Sequence, residues 1–582
     1  MKFQVSGRKR RFRFQVEGQK TKVKGQRLKA CHPNGIFHFS LLSFHYTPLA
    51  LWRGVGGEAF LLLALFLLSA VTLRAQLTPM VYTHAGVEAS EEYQKGNKYQ
   101  KDFLLMVKLL ETTHPAFTDV VREPFKLSAI SNKGYKHLSR CTNDLSFQIY
   151  LESILSKLSD GHTAVNIQNN VTSIYPLSTY FDGKDYYLQG TAKPYKNGLG
   201  KKIKTINGVK IQKVVDSFKN DFSYENEVGY QRQVLKNYLA IPFYWHNKPF
   251  KRPDNTLLVT FSDSTTIQVS AVPAPFQAWE VYKPKQNRSL MQVRSKQNVP
   301  FSKQFYENRS IAYLQFNQCT DQYTLRKTYQ DQGIQLTQQQ DSALSLVPNF
   351  HEFLRDFFRE AKEKKIKTLV VDVRHNSGGN SELCLQLLSY LKPNQLLTTG
   401  KTYIRCSAFY EKCYQEASRK VERSIRAQNS GELNPNTLYN AATGKSLEDE
   451  MGWRESKSSR GRFLPNLINH SVDSLFVGDI IFIQDEDTYS SAGMLITMAY
   501  DNHIGIVIGG PSSYNATSYG DILSWSLPNT QTTGTISHKL FLRPNYMDYN
   551  DIQLQPDEII IPSWEEVCKD FDPCWSWVLK NF

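Results

Sequence analysis

A chain of 582 residues that is 41% hydrophobic and 12% aromatic has material for more than one buried core and does not belong to the disordered class. Its net charge of +16 would suggest a nucleic-acid partner, but residues 1–50 hold eleven Lys/Arg against one Glu and residues 51–75 add +1, which leaves +5 for residues 76–582. The basic excess belongs to the leader, so no nucleic-acid partner is expected.

"AFLLLALFLLSAVTLRAQ" supplies about fifteen apolar residues, short of the roughly 20 of a membrane helix. With Arg53 before it and the small Ala75 before Gln76, residues 51–75 read as an export signal and Gln76 as the mature start. An uncleaved anchor is the alternative, and it is the chain's one expected membrane contact. Residues 1–50 then form a basic leader, either an extension from a misplaced start codon or a cytoplasmic tail. The expected location is the periplasm or cell envelope, or secretion.

Residues 76–170 read as a helical N-terminal domain. Phe103, Met106, Val107 and Leu110 share one helical face, which His114-Pro115 ends. Phe147, Leu151, Ile154, Leu155 and Leu158 mark a second helix, with Gly161 at the expected left-handed cap and His162 just beyond. Residues 171–280 read as a β module, with hairpins at Asn207-Gly208 and at Ser262-Asp263-Ser264. A polar linker follows.

From residue 300 to 582 strands alternate with helices, the pattern of βαβ units on a largely parallel sheet. Its elements are "SIAYLQF", the helix of Phe350, Phe353, Leu354, Phe357 and Ala361, "IKTLVVDV", "SELCLQLLSYL", "SLFVGDIIFIQ", "SAGMLITMAYD" and "IGIVIGG". Residues 408–462 read as a polar surface insertion. Seven cysteines follow the signal and none forms CxxC; Cys406/Cys413 and Cys568/Cys574 are near enough in sequence to pair after export, and Cys384 reads as a buried apolar residue. No cofactor, no metal site and no oligomeric state is indicated.

Two loops carry chemistry. In "VVDVRHNSGGN" Gly378-Gly379 lie between a strand and a helix, where outward N–H groups can bind an anion. The GxxxxGK[ST] phosphate loop and the GxGxxG fingerprint are both missing, so a plain tight turn and an oxyanion site stay open. In "QDEDTYSSAGMLI" Ser490 and Ser491 stand at a helix start, where a serine is either a cap or a nucleophile. Both loops leave the C-terminal ends of strands, where sites of open α/β sheets form. Nucleophile plus oxyanion donors is the arrangement of acyl transfer.

These segments resemble the tail-specific, or C-terminal processing, serine peptidases. "VVDVRHNSGGN" is similar to their DxRxNxGG signature, "YSSAGMLI" with "GIVIGG" to their nucleophile segment, and "DIQLQPDEIIIPSW" to their closing strand. "LSDGHTAV" resembles a segment of the His-dependent branch that includes the tricorn core protease, and "GLGKKIKTINGVKI" resembles the PDZ-type substrate module. Exported Bacteroidetes members share the layout. The resemblance implies a crotonase-like (ClpP/crotonase-type) α/β core with a helical N-terminal region and a PDZ-like module. It also implies an exported endopeptidase that cleaves polypeptides through a Ser-His-acid acyl-enzyme.

Carried over residue by residue, it makes Ser491 the nucleophile with Ser490 as neighbour in reserve, His162 the base, and Asp551 the orienting acid with Asp548 or Asn550 as substitutes. Gly378, Gly379 and Ala492 would supply oxyanion N–H groups, and Arg374 with Asp372 would brace the turn. Two departures stand out. Met494 replaces the family's Glu, and no lysine lies between Ser491 and Ser537, which removes a Ser/Lys dyad. The rival readings are an inactive peptide- or ligand-binding homologue and an acyl-CoA enzyme, the latter at odds with an export signal.

Overall fold

The computed structural model describes residues 79–582 except 120, 122–123, 168–170, 283–293, 295–298, 332–334, 394–395, 453–473 and 547–552. All of these belong to the unit Ile36–Phe582. The leader, the export signal, Asp548, Asn550 and Asp551 lie outside the described residues. No helix among the described residues is long and apolar enough to cross a membrane.

The fold is mixed α/β. Its centre is a six-stranded sheet in the order Phe301–Tyr306, Ile311–Phe316, Thr368–Asp372, Asp479–Gln484, Ile506–Gly509, Glu558–Ile559. The first pair is antiparallel and the others are parallel, as the alternating strand and helix pattern requires. Strand Thr368–Asp372 is buried on both faces, which is why its sequence runs apolar without alternation. Helices Phe350–Glu363, Ser381–Ser389 and Ser491–Asp501 pack on one face around Phe350, Phe357, Leu383 and Leu495. The C-terminal helix Pro573–Asn581 covers the other with Trp575 and Val578.

A second six-stranded sheet stands beside it. Strand Thr533–Leu542 pairs there with Ser518–Ser526, with Lys401–Ile404 and with the short strand Ala164–Val165 that follows His162. Helix Lys98–Thr113 starts on a capping box between Asn97 and Gln100 and buries Phe103, Met106 and Leu110. Helix Asp144–Leu155 runs into a short 3-10 turn, and Phe147, Leu151, Ile154, Leu155 and Leu158 are all buried.

Between residues 171 and 280 lie a three-stranded and a four-stranded sheet. The Asn207-Gly208 turn has positive φ at both residues and sets Ile206 opposite Val209, as an Asn-Gly hairpin demands. The second hairpin pairs Thr260 with Thr266 across the Ser262–Ser264 turn.

Three expectations change. The left-handed residue after the His162 helix is Ser159 (φ 52°), not Gly161. Gly161 is needed for another reason: a Cβ there would stand 2.6 Å from the Tyr489 hydroxyl. The expected surface insertion begins with helix Ala408–Gln428, which buries Phe409, Tyr410 and Ile425; Tyr410 stacks on His538 at 4.6 Å. Charged residues dilute its apolar stripe, which hid the helix in the sequence. All seven cysteines are free thiols, so neither sequence-neighbour pair is bridged; the close pair is Cys319 and Cys384, 3.6 Å apart in the core.

Candidate active site

The site forms where the loops after Thr368–Asp372 and Asp479–Gln484 leave the C-terminal edge of the central sheet. The second loop ends at Ser490, whose backbone (φ 48°, ψ −123°) lies where few side-chain-bearing residues settle. The helix begins one residue later, at Ser491. This strained strand-to-helix corner lifts the Ser490 side chain off the helix tip, the geometry of a nucleophile elbow.

His162 Nε2 lies 3.4 Å from Ser490 Oγ, across 328 positions of sequence. Ser491 Oγ does something else: it donates to the Gly379 carbonyl at 2.6 Å. The hydroxyl that meets the imidazole is therefore that of Ser490, where the sequence favoured Ser491. Two adjacent serines look alike to any periodicity argument, and only the backbone corner separates them.

The other side of the imidazole faces acceptors. His162 Nδ1 is 3.2 Å from Glu225 Oε1, 3.7 Å from Asp160 Oδ1 and 3.1 Å from the Tyr489 hydroxyl. Tyr489 stacks on the imidazole, with ring centroids 4.9 Å apart, and donates its own proton to Glu225 Oε1. This arrangement puts the ring proton on Nδ1 and leaves Nε2 to face Ser490. Glu225 Oε2 accepts the Asn515 N–H at 2.8 Å, and Asn226 bonds the same loop through Ser512 and Asn515.

Burial opposes a charge on His162, but Asp160 and Glu225 outweigh it and push its pKa up to about 9. Burial lifts the Glu225 carboxyl, while His162, Tyr489 and the Asn515 N–H pull it back. Burial opposes the Asp160 charge too, yet hydrogen bonds from His114 and His162 hold that carboxyl below its ordinary range. Glu225 precedes helix Glu227–Lys236 in a region without a motif, and its one sequence signal is the "ENE" run at the helix cap.

Gly378 and Gly379 both have positive φ (103° and 134°). A Cβ on Gly378 would stand 2.7 Å from Ser490 Cβ and 2.9 Å from Ser491 N, so glycine here permits contact between turn and serine corner. The Gly378 N–H is bound to Asn376 Oδ1 at 2.9 Å and the Ala492 N–H to the Tyr489 carbonyl at 3.1 Å. Among the described residues, the N–H groups of Gly379 and Ser491 have no such acceptor. Cys319 N–H and Asn380 N–H bind the Gly378 and Cys319 carbonyls in a parallel bridge, which turns Gly379's own N–H and C=O toward the Ser491 side.

Arg374 braces the turn from below. It binds Asp372 Oδ2 at 2.6 Å and reaches Asp572, the cap of the C-terminal helix, at 2.8 and 3.0 Å. Arg294 and Tyr313 complete the shell of Asp372, each at 2.7 Å. Burial opposes the Asp372 charge, and Arg294 and Arg374 hold the carboxyl well below the usual range. Arg374→Ala leaves the buried Asp572 carboxylate without its charge partner, while Asp372 keeps Arg294 and Tyr313, so chemical denaturation should show a loss of about 3 kcal/mol. An unchanged midpoint would show that the cluster contributes nothing.

Among the described residues, two acid-histidine clusters have metal-like composition, Asp160/His162/Glu225 and His375/Asp485/Asp487. In the first the carboxylates already accept N–H and O–H donors. In the second Asp487 is matched by Arg232 and Lys236, and Asp485 accepts the backbone N–H of His375, Asp487 and Thr488. Neither donor set is left open for a cation.

A helix-tip hydroxyl, an imidazole backed by carboxylates and unused backbone donors make acyl transfer possible, and the class of protein they define is a serine peptidase. Residues 311–560, the stretch that holds the glycine turn and both serines, match the model of peptidase family S41. No curated protein matches the chain. Mature CPAF complexed with lactacystin is similar over 84% of this chain and 98% of its own, at 14% identity and TM-score 0.52. Mature CPAF alone gives 14% identity, 84% and 97% coverage and TM-score 0.50. The photosystem II D1 C-terminal processing protease gives 12%, 81% and 97%, with a TM-score of 0.35.

Proposed function

We propose that the chain is an exported serine endopeptidase of the tail-specific type that cuts polypeptides through an acyl-enzyme on Ser490. His162 takes the Ser490 proton as Oγ attacks the scissile carbonyl, then gives it to the amine as the C–N bond breaks; water repeats the cycle on the ester. Glu225 holds the Nδ1 proton in place of the sequence candidate Asp551. The N–H groups of Gly379 and Ser491 face the developing oxyanion, replacing Gly378 and Ala492 in that role. The shift from Ala492 to Ser491 follows the shift in nucleophile, because the residue after the nucleophile is the usual donor.

The 3.4 Å approach of His162 to the strained Ser490 corner carries this reading. Export rests on the signal-like residues 51–75. A PDZ-type role for residues 171–280, presenting a polypeptide to a crotonase-type core, is supported by the Asn207-Gly208 hairpin within a four-stranded sheet flanked by helix Ile211–Asp216. Full-length protein should take up a fluorophosphonate probe and hydrolyse unfolded casein. Absence of both at alkaline pH would leave a binding homologue instead.

A further inference from the structure

We propose that Asp160 is a positioning residue for the His162 base, and that His114, from the end of helix Lys98–Thr113, fixes Asp160 in that task. The inference rests on the reading of Ser490 and His162 above. Asp160 has no exposed surface. Oδ1 accepts the His162 backbone N–H at 2.9 Å and faces His162 Nδ1 at 3.7 Å; Oδ2 accepts Thr163 Oγ1 at 2.6 Å and His114 Nε2 at 3.0 Å.

The His114 ring is also wholly buried, and its Nδ1 accepts the Ala116 N–H at 3.1 Å. Its proton therefore sits on Nε2, and the ring meets Asp160 as a neutral donor. A neutral donor aims the carboxylate without cancelling its charge, which stays available to His162. The ring is held at both nitrogens, and the backbone carbonyl of His114 accepts from Arg405 Nη1 at 2.8 Å. A chain of polar contacts thus runs from Arg405 through His114 and Asp160 to His162 and ends opposite Ser490. The titratable groups that face His162 are Asp160 on its own turn, Glu225 before helix Glu227–Lys236 and Tyr489 on the serine loop. Tyr514 packs edge-on against Tyr489, and Tyr519 lies against His114.

The test is kcat and KM for a chromogenic peptide across the pH range in full-length Asp160→Asn, His114→Ala, His114→Gln and the double variant Asp160→Asn/His114→Ala. Asp160→Asn should lower kcat about 10- to 100-fold with little change in KM. It should also move the ascending limb of the pH profile to lower pH by about one unit, because a negative charge near the imidazole is gone. His114→Ala should lower kcat as well. His114→Gln, whose amide can still donate to the carboxylate, should recover most of it. His114→Ala should add little on top of Asp160→Asn, since it acts through Asp160. A limb that stays put in Asp160→Asn, or His114 and Asp160 effects that add in full, would overturn the proposal and leave His114 a packing residue. If His114→Ala fails to fold, the comparison of His114→Gln with Asp160→Asn decides alone. Full activity in Ser490→Ala would instead sink the peptidase reading, whereas a dead Ser490→Ala beside an unshifted Asp160→Asn sinks only this inference.

Discussion

Replacing Ser490 with alanine will abolish fluorophosphonate labelling and reduce peptide hydrolysis by a factor on the order of 10⁴ or more, whereas Ser491→Ala will keep both within about tenfold of the parent. The asymmetry comes from where each hydroxyl points. Ser490 Oγ is the one that His162 Nε2 approaches at 3.4 Å, and without it the base has nothing to deprotonate. Ser491 Oγ holds the Gly379 carbonyl at 2.6 Å. Its loss removes one neutral hydrogen bond, worth about 1 kcal/mol, and loosens the turn whose N–H faces the oxyanion. Mass spectrometry of the labelled tryptic peptide identifies the modified serine directly. Labelling that survives in Ser490→Ala and vanishes in Ser491→Ala would reverse the assignment and restore the order that the Ser-Ala spacing suggested.

Much of this site could be read before folding because its parts sit in loops with strong local signals. Gly378-Gly379 between an apolar strand and an amphipathic helix, and Asp-Gly-His-Thr after a helix with five apolar positions on one face, announce themselves by spacing. Arg374 next to Asp372 was legible too, since an arginine at the end of a buried strand needs a carboxylate. Two features stayed hidden for physical reasons. The choice between Ser490 and Ser491 depends on a single backbone corner, which composition does not encode. The pairing of Glu225 with His162 is a contact between a loop before one helix and a turn after another, 63 positions apart, brought together only in the folded chain, where Glu225 also binds the loop at Asn515. A lone glutamate in a polar loop carries no mark of burial, whereas Asp551 stands beside the segment that resembles a closing peptidase strand.

The identity of that acid makes the second large effect. Glu225→Gln should lower kcat by about 10³-fold or more, in line with the loss when a triad carboxylate becomes an amide. The amide can offer an N–H to Nδ1, which favours the wrong tautomer and turns the free lone pair of the ring away from Ser490. The pH profile should move as well, and its direction is fixed. The base must be neutral to accept a proton, so with His162 near 9 the parent enzyme gains activity as pH rises toward that value. Removing the Glu225 charge brings the imidazole back toward its ordinary 6.5, so the ascending limb of the variant lies at lower pH than that of the parent. Stability follows the same shift with the opposite consequence. The imidazolium's contribution is complete below pH 6.5 and drains away as pH rises through about 9, so the parent is most active where this contribution is being lost. Asp551→Asn is the control, at the position the sequence favoured. If it shifts the limb while Glu225→Gln leaves both the limb and kcat at parent values, Glu225 is not the group that orients the base.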